Sequence, residues 1–181
     1  METKNQIRER IINIRSRMTD EEIELKSSQI VKQVIKTPEY EEADNLLLYA
    51  DYKSEVRTRE LFEHAIMNKK KVYFPKCLSD NNMEFYQVTS VNQLISGYKG
   101  IFEPEKNEDT LAIIPGVAFD LDGYRVGYGK GFYDKYLWNK RQLTYMALSF
   151  ANQIVEEIPK DEHDIRMDKI VTEEMIFSFL R

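Results

Sequence analysis

From Arg125 to Asp134 the chain reads RVGYGKGFYD. Gly127, Gly129 and Gly131 alternate with Tyr128 and Lys130, so three of the chain's seven glycines fall within five residues. Residues of these types at this spacing suit a phosphate group. Glycines let backbone N–H groups approach an anion closely, and a helix start adds further unpaired donors. Arg125 can fork onto phosphate oxygens, and Lys130 brings a mobile point charge. The spacing excludes two nucleotide motifs. GxxxxGK[ST] is absent, and GxGxxG would need glycine where Phe132 stands. A flexible turn with incidental charges accounts for the same residues, so the loop by itself leaves both readings open.

The elements that must position this loop are readable around it. Leu111 to Ile114 is an apolar run of buried-strand type, stopped by Pro115-Gly116. Asp122-Gly123 is a turn signal. Phe132, Tyr133, Tyr136 and Leu137 recur on one helical face. The order is strand, basic glycine loop, helix. Upstream, Leu46 to Ala50 reads as the first buried strand. Asp51, Tyr52, Ser54 and Glu55 follow it, where open α/β sheets gather functional residues. Exposed glutamates are the norm, so Glu55 also reads as an ordinary loop carboxylate. Thr58 reads as the N-cap of a helix with Leu61, Phe62, Ala65 and Ile66 inward. Lys71–Pro75, Met83–Val88 and Thr144–Phe150 read as further strands, with a turn at Asp80-Asn81-Asn82. A short helix is expected within Ser90–Gly97 and a loop over Gly97–Pro104, where Tyr98 or Phe102 lines a pocket or the core. The expected fold is α/β: a mainly parallel sheet with helices on both faces, Rossmann-like in its three layers, one domain over residues 1–181.

The amino terminus reads as a helix over residues 4–18, with Ile7, Ile11, Ile14 and Met18 on one face. Lys4, Arg8, Arg10, Arg15 and Arg17 take the other faces, which by themselves read as a solvated basic surface. A helix end frays, so a nucleotide is expected to help order residues 1–8. Thr19 to Glu22 fits a capping box, and the helix it opens ends near Thr37, ahead of Pro38. Near the carboxyl end stand Glu162-His163-Asp164 and Asp168, at a spacing that matches no zinc pattern. His163 and Asp164 read as a local hydrogen-bonded pair. Cys77 is the single cysteine and has no motif coupling it to a base.

A net charge of −5 gives no global basic field for nucleic acid. No apolar run approaches the length of a membrane span, and no signal-peptide pattern opens the chain. Cytoplasmic placement is the expectation.

The stretches IPGVAFD and GYRVGYGKGFYDKYL closely resemble the signature of the 5-formyltetrahydrofolate cyclo-ligases, also called methenyltetrahydrofolate synthetases. The resemblance continues through Tyr49 with Ser54-Glu55-Val56, Phe74-Pro75, Gly100-Ile101 with Glu103-Pro104, and a tail with Pro159, His163-Asp164, Asp168 and Thr172-Glu173. It implies ATP-dependent cyclisation of 5-formyltetrahydrofolate to 5,10-methenyltetrahydrofolate through phosphorylation of the formyl oxygen. It implies ATP contacts at Lys4, Arg8, Arg125, Gly127, Gly129, Lys130, Gly131 and Tyr133, with Arg125 and Lys130 catalytic. Substrate contacts are implied at Tyr49, Glu55, Tyr128 and Phe132, and magnesium at Asp134 and Asp168. The implied partners are small molecules, with a monomer or weak homodimer expected. Asp134 has a second explanation, because an acid in a first helical turn stabilises the macrodipole. Two other classes fit parts of the pattern: a sugar-phosphate isomerase or acyl-CoA transferase relative, and a non-catalytic binder of folate or nucleotide. Tyr128 stands where several relatives carry a basic or aliphatic residue, so a phosphate contact from that side chain is not carried over.

Overall fold

The computed structural model describes residues 2–78, 82–90, 93, 109–140 and 142–180. Most of the Ser90–Gly97 helix, the Gly97–Pro104 loop and most of the Asp80–Asn82 turn lie outside them. Among the described residues the chain runs α1 (Lys4–Arg15), α2 (Asp20–Val34), α3 (Pro38–Glu42), β1 (Asn45–Leu47), α4 (Arg59–Met67), β2 (Lys71–Cys77), β3 (Met83–Gln87) and β4 (Thr110–Ile114). It continues β5 (Ala118–Asp120), β6 (Arg125–Val126), α5 (Phe132–Leu137), β7 (Thr144–Leu148), a 3-10 turn, β8 (Ile154–Val155), β9 (Lys169–Val171) and β10 (Ile176–Ser178).

The main sheet has the order β10-β9-β7-β4-β1-β2-β3. Its middle is parallel, with Leu46 of β1 beside both Val72 of β2 and Leu111 of β4. The edge strands β3 and β10 are antiparallel. The parallel strands are apolar on both faces because both faces are covered. Leu46, Leu48, Leu111 and Ile113 pack with Ile23, Ile30, Leu61 and Phe62 of α2 and α4. The alternate residues Leu47, Ala112, Ile114 and Ala147 meet Leu137 of α5 and Phe119 of β5. Among the described residues the second face therefore carries the short helix α5 beside a small sheet, β6-β5-β8. That small sheet docks α1: Ile7 and Ile11 bury against Val117, Ala118, Val126 and Ile158.

Local chemistry sets the boundaries. Thr3 and Gln6 form a capping box at the start of α1, which satisfies backbone groups at that helix end. Helix α1 ends at Arg15, earlier than the stripe through Met18 suggests. Thr19 and Glu22 form the expected capping box of α2. Pro38 ends one helical stretch and opens another, because Thr37 caps α3 with the proline at its first turn, where a missing N–H costs nothing. Thr58 makes no side-chain cap. Its hydroxyl donates to the Tyr49 carbonyl at 2.8 Å, and Asp51 accepts its amide at 3.0 Å.

Asp122-Gly123 turns a hairpin between β5 and β6, with Gly123 at a φ of +90°. Arg125 therefore leaves a strand, which aims it more firmly than a loop would. The hairpin is held by Asp120, a buried carboxylate that accepts from the amides of Asp122 (3.0 Å), Tyr124 (2.8 Å) and Ile158 (3.2 Å). Asp120→Ala strands those three donors and is expected to lower unfolding stability by about 3 kcal/mol. Urea denaturation should show a lower midpoint at unchanged slope. An unchanged midpoint would mean that water replaces the carboxylate at no cost.

Candidate functional site

The chain passes from β1 to β2 on one side and later enters β4 on the other, so β1 and β4 form a switch point in strand order. Crevices open outside the carboxyl ends of strands at such points. A cleft of about 710 Å³ lies there, within the usual size range for small-molecule sites. One wall is the segment after β1, with Tyr49, Tyr52 and Glu55. Opposite stands the glycine loop, Gly127 to Gly131, followed by Phe132 and Tyr133. Lys4 and Arg8 come in from α1, and Pro75, Cys77 and Met83 from the β2–β3 edge.

The glycine loop is held from one side and open on the other. Gly129 and Gly131 have φ of +93° and +65°, a left-handed geometry that side chains resist. Arg8 anchors the loop by donating from Nε to the Gly127 carbonyl at 2.7 Å. A Cβ at Gly129 would lie 3.4 Å from the Arg8 guanidinium. Arg125 is buried, and donates to Asp134 Oδ1 at 2.9 Å and to the Ile165 carbonyl at 3.2 Å. It bridges hairpin, helix and tail while lining the cleft. Lys130 is exposed on the loop, and no ion pair holds its ammonium among the described residues. The expected contribution of a helix start is small here, since α5 has six residues. The loop amides and the cations are the available anion donors. Lys4 faces the same space, with its Nζ 2.5 Å from Asp161 Oδ2 and 2.6 Å from Asp164 Oδ2. Burial works against the Lys4 charge, but those two carboxylates outweigh it and hold the ammonium above its ordinary pKa.

The acids differ from expectation at one position. Asp134 lines the cleft. Asp168 does not: it lines a separate cavity of about 350 Å³, and its Oδ2 accepts the Tyr145 amide at 2.7 Å. The expected Asp134–Asp168 pair is not assembled, because the latter carboxylate is committed to sheet backbone. Asp164 takes its place, lining the cleft with Asp134. The Ile165 amide donates to Asp134 Oδ1 at 3.2 Å, which brings the Asp164 backbone beside that carboxylate. Both carboxylates are held by cations of the chain, Asp134 by Arg125 and Asp164 by Lys4. Among the described residues no group of three or more acid, His or Cys side chains could hold a metal ion. Asp164 accepts from Lys4, while His163 packs edge-on to Trp138 at 4.7 Å, so these neighbours are not the expected pair.

Glu55 lines the same cleft and is only 6% exposed. Its Oε2 accepts the Tyr52 amide at 2.8 Å. Burial pushes its carboxyl pKa up; the Tyr52 amide, the Tyr128 hydroxyl and the Arg15 charge pull it back, Asp51 adds to the rise, and the balance stays up. Tyr49 presents its ring to the cleft while its hydroxyl donates to the Val56 carbonyl at 3.1 Å. Burial, then the charges of Glu55 and Asp51, keep that phenol protonated.

The model of the 5-formyltetrahydrofolate cyclo-ligase family matches residues 1–173. The chain belongs to that family. A probable 5-formyltetrahydrofolate cyclo-ligase of Schizosaccharomyces pombe is 34% identical over 196 aligned residues, covering 96% of each chain. The 5-formyltetrahydrofolate cyclo-ligase of Mus musculus is 30% identical, covering 88% of this chain and 89% of its own. Among solved structures, the Aquifex aeolicus 5,10-methenyltetrahydrofolate synthetase aligns with a TM-score of 0.81 at 31% identity, over 98% of this chain and 93% of that one. The Mycoplasma pneumoniae synthetase gives 0.79 at 26% identity, over 94% and 98%.

In this cyclo-ligase the cleft gathers Lys4, Arg8, Tyr49, Glu55, Arg125, Gly127 to Tyr133 and Asp134, and leaves Asp168 out. Sequence reasoning missed Arg15, Asp161 and the cleft placement of Asp164. Arg15 had a signal: it continues Ile7 and Ile11 at a spacing of four, on the buried line of α1.

The Glu55 geometry yields a stability prediction. Its folded pKa lies above the unfolded value, so its favourable contribution is complete below the unfolded pKa and is lost as pH rises through the folded one. At neutral pH the fold carries a buried charge that glutamine would not carry. Glu55→Gln is expected to raise the melting temperature at pH 7, with the gain vanishing below about pH 4. A variant less stable at pH 7 and unchanged at low pH would reverse the assignment.

Proposed function

We infer that the cleft closes the imidazoline ring of 5-formyltetrahydrofolate at the expense of ATP, with the triphosphate along the glycine loop and the pterin at Glu55. One observation carries this reading. A single cleft is lined both by a cationic glycine loop and by a buried carboxylate acceptor. A phosphorylating folate enzyme needs both within reach of each other.

The chemistry follows from that layout. The formyl oxygen bonds to the γ-phosphorus, and the β,γ-bridging oxygen leaves with ADP. The formamide oxygen, a poor leaving group, has become a phosphate. Nitrogen 10 then bonds to the activated carbon, the carbon–oxygen bond breaks, and inorganic phosphate and the N10 proton depart. Phosphoryl transfer of this kind depends on alignment and charge neutralisation more than on a protein nucleophile. Lys130 and the amides of Gly129 and Gly131 stabilise charge on the transferred group, and Arg8 and Arg125 hold that loop in place. Phe132 and Tyr133 cover the reacting centre with apolar surface that keeps water from the phosphorylated intermediate. Glu55 accepts from the amino-pyrimidine edge of the pterin, whose N–H groups match an acceptor. Asp134 and Asp164, which both line the cleft, would hold a magnesium ion, and its chemistry there would be charge neutralisation.

The direct test mixes protein, magnesium-ATP and 5-formyltetrahydrofolate and follows methenyltetrahydrofolate absorbance together with ADP. Equal amounts of both products are expected; folded protein giving neither would end this reading. Lys130→Ala should lower kcat/KM for ATP by roughly 10–100-fold, the effect of one charge-assisted contact of ~1.5–3 kcal/mol. Its melting temperature should stay at the wild-type value, since the side chain is exposed. An unchanged kcat/KM would remove Lys130 from the phosphate path.

A further inference from the structure

Lys4 opens α1 and lines the cleft one helical turn before Arg8, the residue that holds the glycine loop at the Gly127 carbonyl. Residues four apart share a helix face, and the rise between them is about 6 Å. A flexible four-carbon stem can sweep that interval. Two carboxylates of the tail take the Lys4 ammonium. Asp164 Oδ2 lies 2.6 Å from Nζ, and Asp161 Oδ2 lies 2.5 Å from it. All three side chains belong to residues that line the cleft.

The two carboxylates are held differently. Asp164 Oδ2 also accepts the Asp161 amide at 2.7 Å, and its side chain is 18% exposed, so the tail fixes it in place. The Asp161 side chain is 76% exposed, and Lys4 is the donor that its carboxylate meets among the described residues. Asp164 is an anchor for the ammonium. Asp161 is an acceptor that can let go.

We propose that Asp161 is an affinity-setting residue for the nucleotide: its carboxylate competes with the triphosphate for the Lys4 ammonium and yields it when ATP binds. The argument is one of donors and charge. An ammonium has three donors and no acceptor. One stays with Asp164. The donor on Asp161 is the exchangeable one, because an exposed ion pair contributes little and its acceptor turns readily to water. A carboxylate and a phosphate oxygen are both anionic acceptors, and the triphosphate carries the larger charge. The exchange therefore runs toward the nucleotide, but the affinity is lowered by the contact that must open. A ligand whose site is competent for only a fraction of the time has its apparent dissociation constant raised by the inverse of that fraction. Run backwards, the same exchange returns Lys4 to Asp161 as ADP leaves. Lys130 differs, since no ion pair holds its ammonium among the described residues and nothing has to open before it meets an anion.

The proposal rests on the reading that the triphosphate lies along the glycine loop, and one calorimetric series separates the two. Magnesium-ATP is titrated, without folate, into the wild type, Asp161→Asn, Lys4→Met, the variant carrying both changes, and Lys130→Ala. Lys130→Ala should raise the dissociation constant; an unchanged value ends the phosphate reading and the proposal with it. Asp161→Asn should lower it about two- to fivefold, the scale of one surface ion pair taken out of the competition. Lys4→Met should raise it. In the Lys4→Met background, Asp161→Asn should have no effect, because the competitor has nothing left to hold. Tightening that persists there means that the Asp161 charge repels the triphosphate through space. That result overturns the proposal while the phosphate reading stands. So does an unchanged or higher dissociation constant in Asp161→Asn, or wild-type affinity in Lys4→Met, when Lys130→Ala has its effect. Asp161 is exposed and Lys4 stands in the first turn of α1, so neither substitution removes core packing.

Discussion

The parallel pairing of β1 with β4 is the constraint on which the site depends. Asn45, Leu46 and Leu47 lie against Thr110, Leu111 and Ala112, and the strands that follow each lead away on opposite sides. Two parallel strands whose onward connections diverge cannot have their carboxyl ends covered by a crossover. A crevice is the geometric result. The segment after β1 brings Glu55 to it, and the segment after β4 brings Pro115 and, through one hairpin, the glycine loop. The apolar alternation of Leu46, Leu47 and Leu48 seals both faces beneath, so the floor is rigid while the rim is polar.

The rim is joined by charge and backbone carbonyls more than by apolar burial. Arg8 holds Gly127, Arg15 holds Ser54 and Tyr128, Arg125 holds Asp134 and Ile165, and Lys4 reaches Asp161 and Asp164. Each contact spans sequence-distant segments, so α1, the glycine loop and the tail are located relative to one another through the cleft. Apolar packing of Ile7 and Ile11 sets where α1 lies, and the charges set which way the rim faces.

The layered α/β fold was legible because its signals are local. Apolar runs of four or five residues, the Thr19 box and the glycine loop each carry their structure in adjacent residues. The small sheet was not legible: β5, β6 and β8 are two or three residues long and gain their partners only through tertiary contact. The same distinction governs the site. Glu55, Lys130 and Asp134 follow from segments that announce themselves. Asp164 and Asp168 stand four apart in a tail without helix or strand periodicity, so nothing local says which of them faces the cleft and which serves Tyr145. Arg15 was hidden by the habit of assigning arginine to solvent, although its spacing from Ile11 places it inward.

Residue type divides the labour among the cations. Arg8, Arg15 and Arg125 spend their donors on fixed partners, most of them backbone carbonyls. The planar fork suits that task, because its hydrogen bonds define direction as well as distance. The two lysines are different. Lys130 is exposed, so its ammonium can be redirected without breaking the frame, while the Lys4 ammonium sits between two carboxylates of the tail. A phosphoryl group that moves from ADP toward a formyl oxygen carries its charge along a path. Point charges on flexible stems can follow such a path, whereas a guanidinium locked to a carbonyl cannot. On the proposed reading, the frame holds still where the substrate would be recognised and stays adjustable where charge would migrate.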